Sequence, residues 1–264
     1  MKRNRITIYF ALFALLLAGC KSNDSNTMTF RIEGTLDNAS GKTLYIEEMT
    51  PDNGPQFLDS IKCDEKGNFS YKGSMDYQTF FNLHSNAYDY IVLLPNDGDK
   101  IKLTGDADNL GKSYRVNGSG ESQLMWQIQS YINDADITIA DIAQQDKQNR
   151  ETLNDDDYEV AHARTDSIFI AEREMIYMMF SNFIADNRGS LATLYAIDAP
   201  FNHTMRVFYA ESDFEMFEEV LDGLLEKSAD NPHTQYYRTR VERARSQRLL
   251  MQQQQQSGQE IIIE

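Results

Sequence analysis

Residues 57–72 of the chain read FLDSIKCDEKGNFSYK, and this stretch places two strand-like runs on either side of a turn. Apolar side chains recur with a strand's spacing of two in residues 57–63 and 69–72. Residues 64–68 are polar, and Gly67 supplies the positive φ that a tight reversal needs. The stretch therefore predicts two β-strands joined as a hairpin.

The same pattern extends in both directions from this stretch and covers residues 28–117. Met28, Phe30 and Ile32 alternate with polar residues, and turn chemistry follows at intervals of about 8 to 12 residues, as in sandwiches and barrels. Residues 90–94 are apolar on both faces, which predicts a central strand covered on each side. We expect about eight strands in an antiparallel β-sandwich or partly open barrel over residues 28–118.

A helical period replaces the strand period after residues 118–120 (Gly-Ser-Gly) and predicts a helical domain over residues 119–250, so the fold class is α+β. One long helix should begin at the capping residue Asn154. Its apolar stripe is predicted at Ile168, Met175, Met179 and Phe183. Ser212 and Glu215 form the pattern of a capping box for a later helix. Asn231 and Pro232 should cap the last helix, which is expected to fray into a low-complexity tail at 251–264.

The first residues predict a lipoprotein signal peptide over residues 1–19. Lys2, Arg3 and Arg5 precede an apolar run at 6–16, and that run is too short to span a bilayer. Leu17, Ala18 and Gly19 then form the expected cleavage site before Cys20, which we expect to be lipidated. Acyl chains on Cys20 would anchor the chain in the lipid bilayer. A non-lipidated export signal is the alternative.

Residues 20–27 are small and polar and suit a flexible tether. Lys21 is not the aspartate that retains some lipoproteins in the inner membrane. We therefore expect an outer-membrane lipoprotein of the cell envelope that faces the periplasm, and exposure at the cell surface stays open as an alternative.

Charge and cysteine content exclude several classes of function. The formal net charge is −16, and the first nineteen residues contribute +3 of it, which leaves −19 on the rest of the chain. Such a surface repels phosphate backbones, so nucleic acid is not expected as a partner. With Cys20 acylated, Cys63 is left without a partner for an intrachain disulfide, and the sequence has no Cys-x-x-Cys motif.

The remaining thiol and the histidines each allow a chemical and a structural interpretation. Cys63 shares a strand face with Ile61, which favours a buried apolar role over a redox thiol. The four histidines are far apart in sequence and none has the spacing of metal ligands, so structural roles are favoured over a metal site. These are His84, His162, His203 and His233.

The acidic clusters resemble structural features more than calcium loops. The run at 155–157, with Glu159, lacks the alternating ligands and the glycine of a calcium loop and fits a charged helix start. Asp97, Gly98 and Asp99 are similarly interpreted as turn residues. We therefore expect no metal and no cofactor.

Two further groups could bind a ligand. An adaptable peptide groove is possible for methionines that lie near each other in sequence, although helix packing also explains them: Met175, Met178, Met179, Met205 and Met216. Tyr88 and Tyr90 with Trp126 could form a carbohydrate platform. No Gly-x-Ser-x-Gly elbow or comparable frame is present, so catalytic residues are not assigned.

Motifs along the first half of the chain resemble a known domain of unknown function. They are Phe30-x-Ile32-x-Gly34-x-Leu36, Asp59-Ser60-Ile61 leading to Asp64-x-x-Gly67-x-Phe69-x-Tyr71-x-Gly73, Leu94-Pro95 with Gly98-Asp99 before Ile101, and Val116-x-Gly118-Ser119. That domain occurs at the amino end of many Gram-negative lipoproteins. A helical segment follows it there, and then a thioredoxin-like domain of the peroxiredoxin and thiol-disulfide oxidoreductase kind.

The resemblance covers residues 28–248 and implies a partner class. A thioredoxin-like domain should begin near Gly258, and this sequence does not contain it. We therefore expect a non-catalytic binding or positioning module, not an enzyme, with a protein partner for which the resemblance suggests a thiol oxidoreductase. The alternatives are an oxidoreductase lipoprotein whose thioredoxin-like domain is missing or on another chain, and a glycan-binding sandwich.

Overall fold

A computed structural model describes residues 27–202 and 204–260, and side chains only as far as residue 254 in the last helix. The predicted signal peptide, its cleavage site at Leu17, Ala18 and Gly19, and Cys20 lie outside the described residues. Two four-stranded sheets come first in the chain and helices follow, which confirms an α+β fold.

The described part of the chain has eight strands and six helices. The strands are β1 (Met28–Asp37), β2 (Thr43–Thr50), β3 (Gly54–Lys62), β4 (Asn68–Met75), β5 (Phe80–Asn86), β6 (Asp89–Leu93), β7 (Lys100–Asp106) and β8 (Arg115–Asn117). The helices are α1 (Leu110–Ser113), α2 (Gly120–Thr152), α3 (Asp155–Asp186), α4 (Ala192–Ile197), α5 (Phe214–Ser228) and α6 (Pro232–Glu260).

The strands form a sandwich and not a closed barrel. The first sheet has the order β4-β1-β7-β8 and the second has the order β3-β2-β5-β6. The ladder between β1 and β7 is parallel, from Arg31 opposite Lys100 to Asp37 opposite Asp106, whereas the other ladders are antiparallel. One strand pair of the sandwich is therefore parallel, although the sequence predicted only antiparallel pairs.

The hairpin predicted from residues 57–72 is wrong. Strand β3 pairs with β2 and strand β4 pairs with β1, so the turn at 64–68 crosses from one sheet to the other. The turn chemistry itself is as predicted. Gly67 has φ +77°, and the Asp64 carboxylate accepts the backbone N–H groups of Lys66 and Asn68 at 2.8 Å each. Local sequence determined the reversal but not the strand partners.

The central placement predicted for residues 90–94 is also wrong, because β6 lies at an edge of the second sheet. Both of its faces are nevertheless covered. Ile91 and Leu93 belong to the core between the sheets, and Val92 and Leu94 belong to the core shared with the helices. The helical layer therefore produces the apolar pattern that a central strand would show.

The helices pack on the outer face of the second sheet. Phe80, Val92 and Leu94 from this sheet share one apolar core with α2 to α6. At the junction, the Thr79 hydroxyl lies 2.8 Å from Nε2 of His233, and the Asn231 side chain donates to the Gln78 carbonyl at 2.8 Å. Sandwich and helices are thus joined by apolar and polar contacts.

Helices α2 and α3 form a long antiparallel hairpin. Asn154 caps α3 as predicted, since its side chain accepts the Asp157 N–H at 3.0 Å. The predicted apolar stripe is only partly right, because Ile168 and Met175 are exposed. The buried positions are Thr165, Ile176, Phe180, Phe183 and Ile184. Helix α3 is apolar on more than one side, and the phenylalanine-rich face buries the larger area.

Two helix ends differ from the sequence expectation. Ser212 and Glu215 do not form a capping box, because Asp213 precedes α5 and makes no capping bond. Its carboxylate instead accepts the Tyr209 N–H at 2.9 Å and the Ser212 hydroxyl at 2.8 Å. Helix α6 continues through the glutamine run, where fraying was expected, and extends to Glu260. Among the described helices, none combines the length and the apolar character of a membrane span.

Candidate functional site

Five side chains from three neighbouring strands meet on the outer face of the second sheet. Tyr45 of β2 lies opposite His84 of β5, and His84 lies opposite Tyr90 of β6. Two positions along the same ladder, Glu47 lies opposite Asn82. We call these residues the outer polar site: Tyr45, Glu47, Asn82, His84 and Tyr90.

A histidine and a carboxylate form the centre of the outer polar site. Nε2 of His84 lies 3.6 Å from Oε2 of Glu47, and the two side chains are only 12% and 26% exposed. Tyr45 packs over the imidazole with ring centroids 5.7 Å apart. Tyr45 and Tyr90 are 39% and 44% exposed, so both phenol rings present a free surface to a ligand.

Two polar atoms of the outer polar site lack a hydrogen-bond partner among the described residues. They are Oδ1 of Asn82 and Nδ1 of His84, and both are buried. The Asn82 amide nitrogen lies 3.1 Å from the Met49 sulfur, a weak acceptor. An unpaired buried polar group costs about 1–3 kcal/mol, so native proteins rarely retain one without a role. Both atoms are closed off from solvent, so a ligand with donor and acceptor groups would pair with them only after the side chains that cover them move aside.

The helical layer forms one border of this site. Tyr195 of α4 packs on Phe80 with ring centroids 5.7 Å apart. Burial, the neighbouring Tyr90 phenol and a hydrogen bond with Tyr90 raise the pKa of Tyr195 above its usual range. Tyr195 therefore stays protonated and holds Tyr90 at the border between sheet and helices.

Cys63 is buried as predicted. It is a free thiol with 2% exposure, on the same face of the chain as the buried Ile61. Burial, together with the neighbouring Asp64 carboxylate, raises the pKa of the Cys63 thiol. Both effects disfavour the thiolate, which is the reactive form of cysteine.

The three described histidines lie in three different places in the fold. His84 belongs to the outer polar site, and His233 faces Thr79 at the junction. Nδ1 of His162 lies 2.7 Å from the Asp146 carboxylate, and this hydrogen bond raises the pKa of His162. His203 lies outside the described residues. Across residues 27–202 and 204–260, no group of three or more potential ligands could hold a metal ion.

The acidic candidates occupy a helix start and a turn, as predicted. Asp155, Asp156 and Asp157 form the first turn of α3, where the helix dipole stabilises negative charge. The Asp97 carboxylate accepts the Thr29 N–H at 2.8 Å in a turn in which Gly98 has φ +80°. These carboxylates therefore stabilise a helix start and a turn.

The methionines do not line one groove. Met175 and Met178 are exposed on α3, whereas Met205 and Met216 pack against the helical core. Met179 is partly buried. Packing against the helical core therefore accounts for Met205 and Met216.

The proposed platform of Tyr88, Tyr90 and Trp126 is not assembled. The Trp126 indole donates to the Tyr114 carbonyl at 3.0 Å and lies under Arg115, whereas Tyr88 is 95% exposed. No ring contact joins these three aromatic residues in the described part of the chain.

Comparison with known proteins identifies one domain. Residues 30–125 match the family model "Domain of unknown function (DUF4369)". The DUF4369 match spans the sandwich and the first turns of α2, and it includes all five residues of the outer polar site. A search of curated proteins found no match.

Sequence reasoning missed the outer polar site as a whole. Alternation places Tyr45 and Glu47 on one face of a strand, and it places Asn82 and His84 on one face of another. Only the register between β2, β5 and β6 brings the two pairs and Tyr90 together. The one sequence signal for this site was that outward-facing positions of otherwise apolar strands carry polar residues.

Proposed function

We propose that this chain is a membrane-anchored, periplasm-facing lipoprotein that acts as a non-catalytic binding or positioning module, with the outer polar site as its contact for a protein partner. The observation that carries the proposal is the pair of unpartnered buried atoms, Asn82 Oδ1 and His84 Nδ1, beside the exposed Tyr45 and Tyr90. Tyrosines around a desolvated polar centre are typical of contact surfaces with strong local binding energy.

Binding fits this site better than catalysis does. In the described contacts, His84 touches Glu47 and Tyr45 and no serine, cysteine or second carboxylate. Nucleophilic catalysis needs a nucleophile within hydrogen-bond reach of the base. The one described thiol, Cys63, is buried in the sandwich core.

The anchor rests on the sequence at the start of the chain. Leu17, Ala18 and Gly19 precede Cys20, and tether residues 20–27 lead to β1 at Met28. Replacing Cys20 by Ser should abolish incorporation of labelled palmitate and move the chain out of the membrane fraction. Unchanged acylation of C20S would contradict this part of the proposal.

Site-specific photo-crosslinking in intact cells tests the binding surface. A photoreactive amino acid at Tyr45 or Tyr90 should give a discrete protein adduct. The matched control is Tyr236 on α6, which is 52% exposed and outside the site. Adducts at Tyr236 alone, or at none of the three positions, would contradict the proposal. Identifying the adduct also tests the suggested thiol oxidoreductase partner.

A glycan is the second candidate ligand, and the same two tyrosines favour it. Sugars bind to exposed aromatic faces beside carboxylates, and Tyr45 lies two positions from Glu47 on the same face of β2. A glycan array with the full chain and its Y45A variant separates the two candidates. Binding that Y45A abolishes would favour a glycan, and no binding would remove it.

The alternative of an oxidoreductase is tested by insulin reduction. We expect no activity above background from this chain, because Cys63 is buried and its pKa is raised. Activity that disappears in C63S would contradict the non-catalytic assignment.

A further inference from the structure

Helix α3 exposes large apolar side chains on the side that faces away from the helical core. Its phenylalanine-rich face packs in the helical core, whereas the opposite face is open to solvent. Val160 is 66% exposed and Met178 is 58% exposed. The exposed Ile168 and Met175 flank these two residues on one side of the helix, and the exposed Ile170 flanks them on the other. Several large exposed apolar residues on one helix mark a contact surface more often than a solvated face.

Six positions on this face follow a heptad spacing of 4, 3, 4, 3 and 4 residues. We call them the α3 seam: Val160, Arg164, Ser167, Ala171, Glu174 and Met178. All six are exposed. At a rise of 1.5 Å per residue the seam is about 27 Å long, which matches the spacing and length of a helix-pairing surface.

The α3 seam is complementary to itself when a second copy is antiparallel. If a two-fold axis crosses the seam at the level of residue 169, Val160 lies opposite the second copy's Met178, and Ser167 lies opposite its Ala171. Arg164 then lies opposite the second copy's Glu174, twice by symmetry. The small residues at the centre allow close approach, the two ion pairs flank them, and the apolar pairs close both ends.

The two charges of the seam have no partner within the described chain. The ion pairs of the α2–α3 hairpin join Lys147 to Glu151 and His162 to Asp146 and Asp166. Arg164 and Glu174 take part in none of them and in no described hydrogen bond. Arg164 and Glu174 are unpaired within one chain and would pair with each other across a two-fold axis. This charge complementarity favours a second copy of the chain as the binding partner of the α3 seam.

The acidic start of α3 excludes the parallel arrangement. Parallel helices would place Asp155, Asp156 and Asp157 of both copies side by side. The antiparallel arrangement separates these clusters by about 40 Å, well beyond the Debye length of about 8 Å. We propose that two copies of this chain pair antiparallel through the α3 seam. This inference does not depend on the outer polar site.

Charge exchange across the seam tests the proposal on the full chain in detergent by sedimentation equilibrium. We expect a dimer whose dissociation constant rises roughly tenfold in R164E and in E174R, because each change replaces two attractive pairs by two repulsive ones. The double variant R164E/E174R should return to within about threefold of the original chain, because it restores both pairs.

The matched control is R173E, which reverses an exposed charge on the side of α3 opposite Arg164. It should leave the dissociation constant within about threefold. All substituted positions are exposed, so circular dichroism should be unchanged in every variant. A monomeric original chain, a dimer that R164E does not weaken, or a double variant that stays weak would each overturn the proposal.

Discussion

Protonation of His233 should make the junction between sandwich and helices sensitive to acid. His233 is 8% exposed and packs against the rings of Tyr77 and Phe80. Because Thr79 donates to the Met49 carbonyl at 3.1 Å, its oxygen is free to accept the Nε2–H of His233. No described carboxylate contacts the imidazole. Burial therefore lowers the pKa of His233 to about 4 from its ordinary value of 6.5.

The sign of the pH effect on stability follows from which state, folded or unfolded, binds more protons. Below pH 6.5 the unfolded chain protonates this histidine, whereas the folded chain resists until about pH 4. The unfolded state thus binds more protons in this window, and the stability contributed by neutral His233 is lost as the pH falls through it. Each unit of pKa difference corresponds to 1.36 kcal/mol, so the loss amounts to about 3 kcal/mol near pH 4.

The assay is urea unfolding followed by the fluorescence of Trp126, the single tryptophan. The non-titrating variant H233Q is the comparison at pH 7.5, 6 and 4.5, because other groups titrate equally in both chains. We expect the original chain to lose more stability than H233Q between pH 7.5 and 4.5, by about 2–3 kcal/mol. Parallel pH profiles for the two chains would refute the reasoning.

Three further predictions concern packing. In C20S, thiol reagents should label Cys63 only on unfolding, and rapid native labelling would contradict its burial. G34A should lower the free energy of unfolding by about 1–3 kcal/mol, because the new Cβ would lie 2.4 Å from the Leu103 carbonyl oxygen. G120A, where the space is open, is the control, and equal urea midpoints would refute this prediction. F180A should lower the free energy of unfolding by about 3–5 kcal/mol, and M175A should lower it by less than about 0.5 kcal/mol. A larger loss in M175A than in F180A would contradict the assignment of the buried and exposed faces of α3.

Features that depend on neighbouring residues could be predicted from the sequence. The strand alternation, the turn at Gly67 and the cap at Asn154 each involve a few adjacent residues, and all three are present. The burial of Cys63 also followed from alternation within one strand. Local steric and hydrogen-bond preferences act in the same way whatever the distant partners are.

Features that depend on partners distant in the chain could not be predicted. The turn at 64–68 has the composition of a hairpin turn, yet its flanking strands pair with β2 and β1. Strand β6 has the pattern of a central strand because helices cover its outer face. The outer polar site needs the register of three strands, and none of its members has a motif of its own.

Substitution of Asn82 tests the central claim of a binding site most directly. N82L removes the unpartnered Oδ1 and keeps the branched outline of the side chain, so the free energy of unfolding should stay the same or rise by about 1 kcal/mol. With the photoreactive residue at Tyr45, we predict that N82L folds normally and loses the partner adduct. An undiminished adduct in a folded N82L chain would contradict the account.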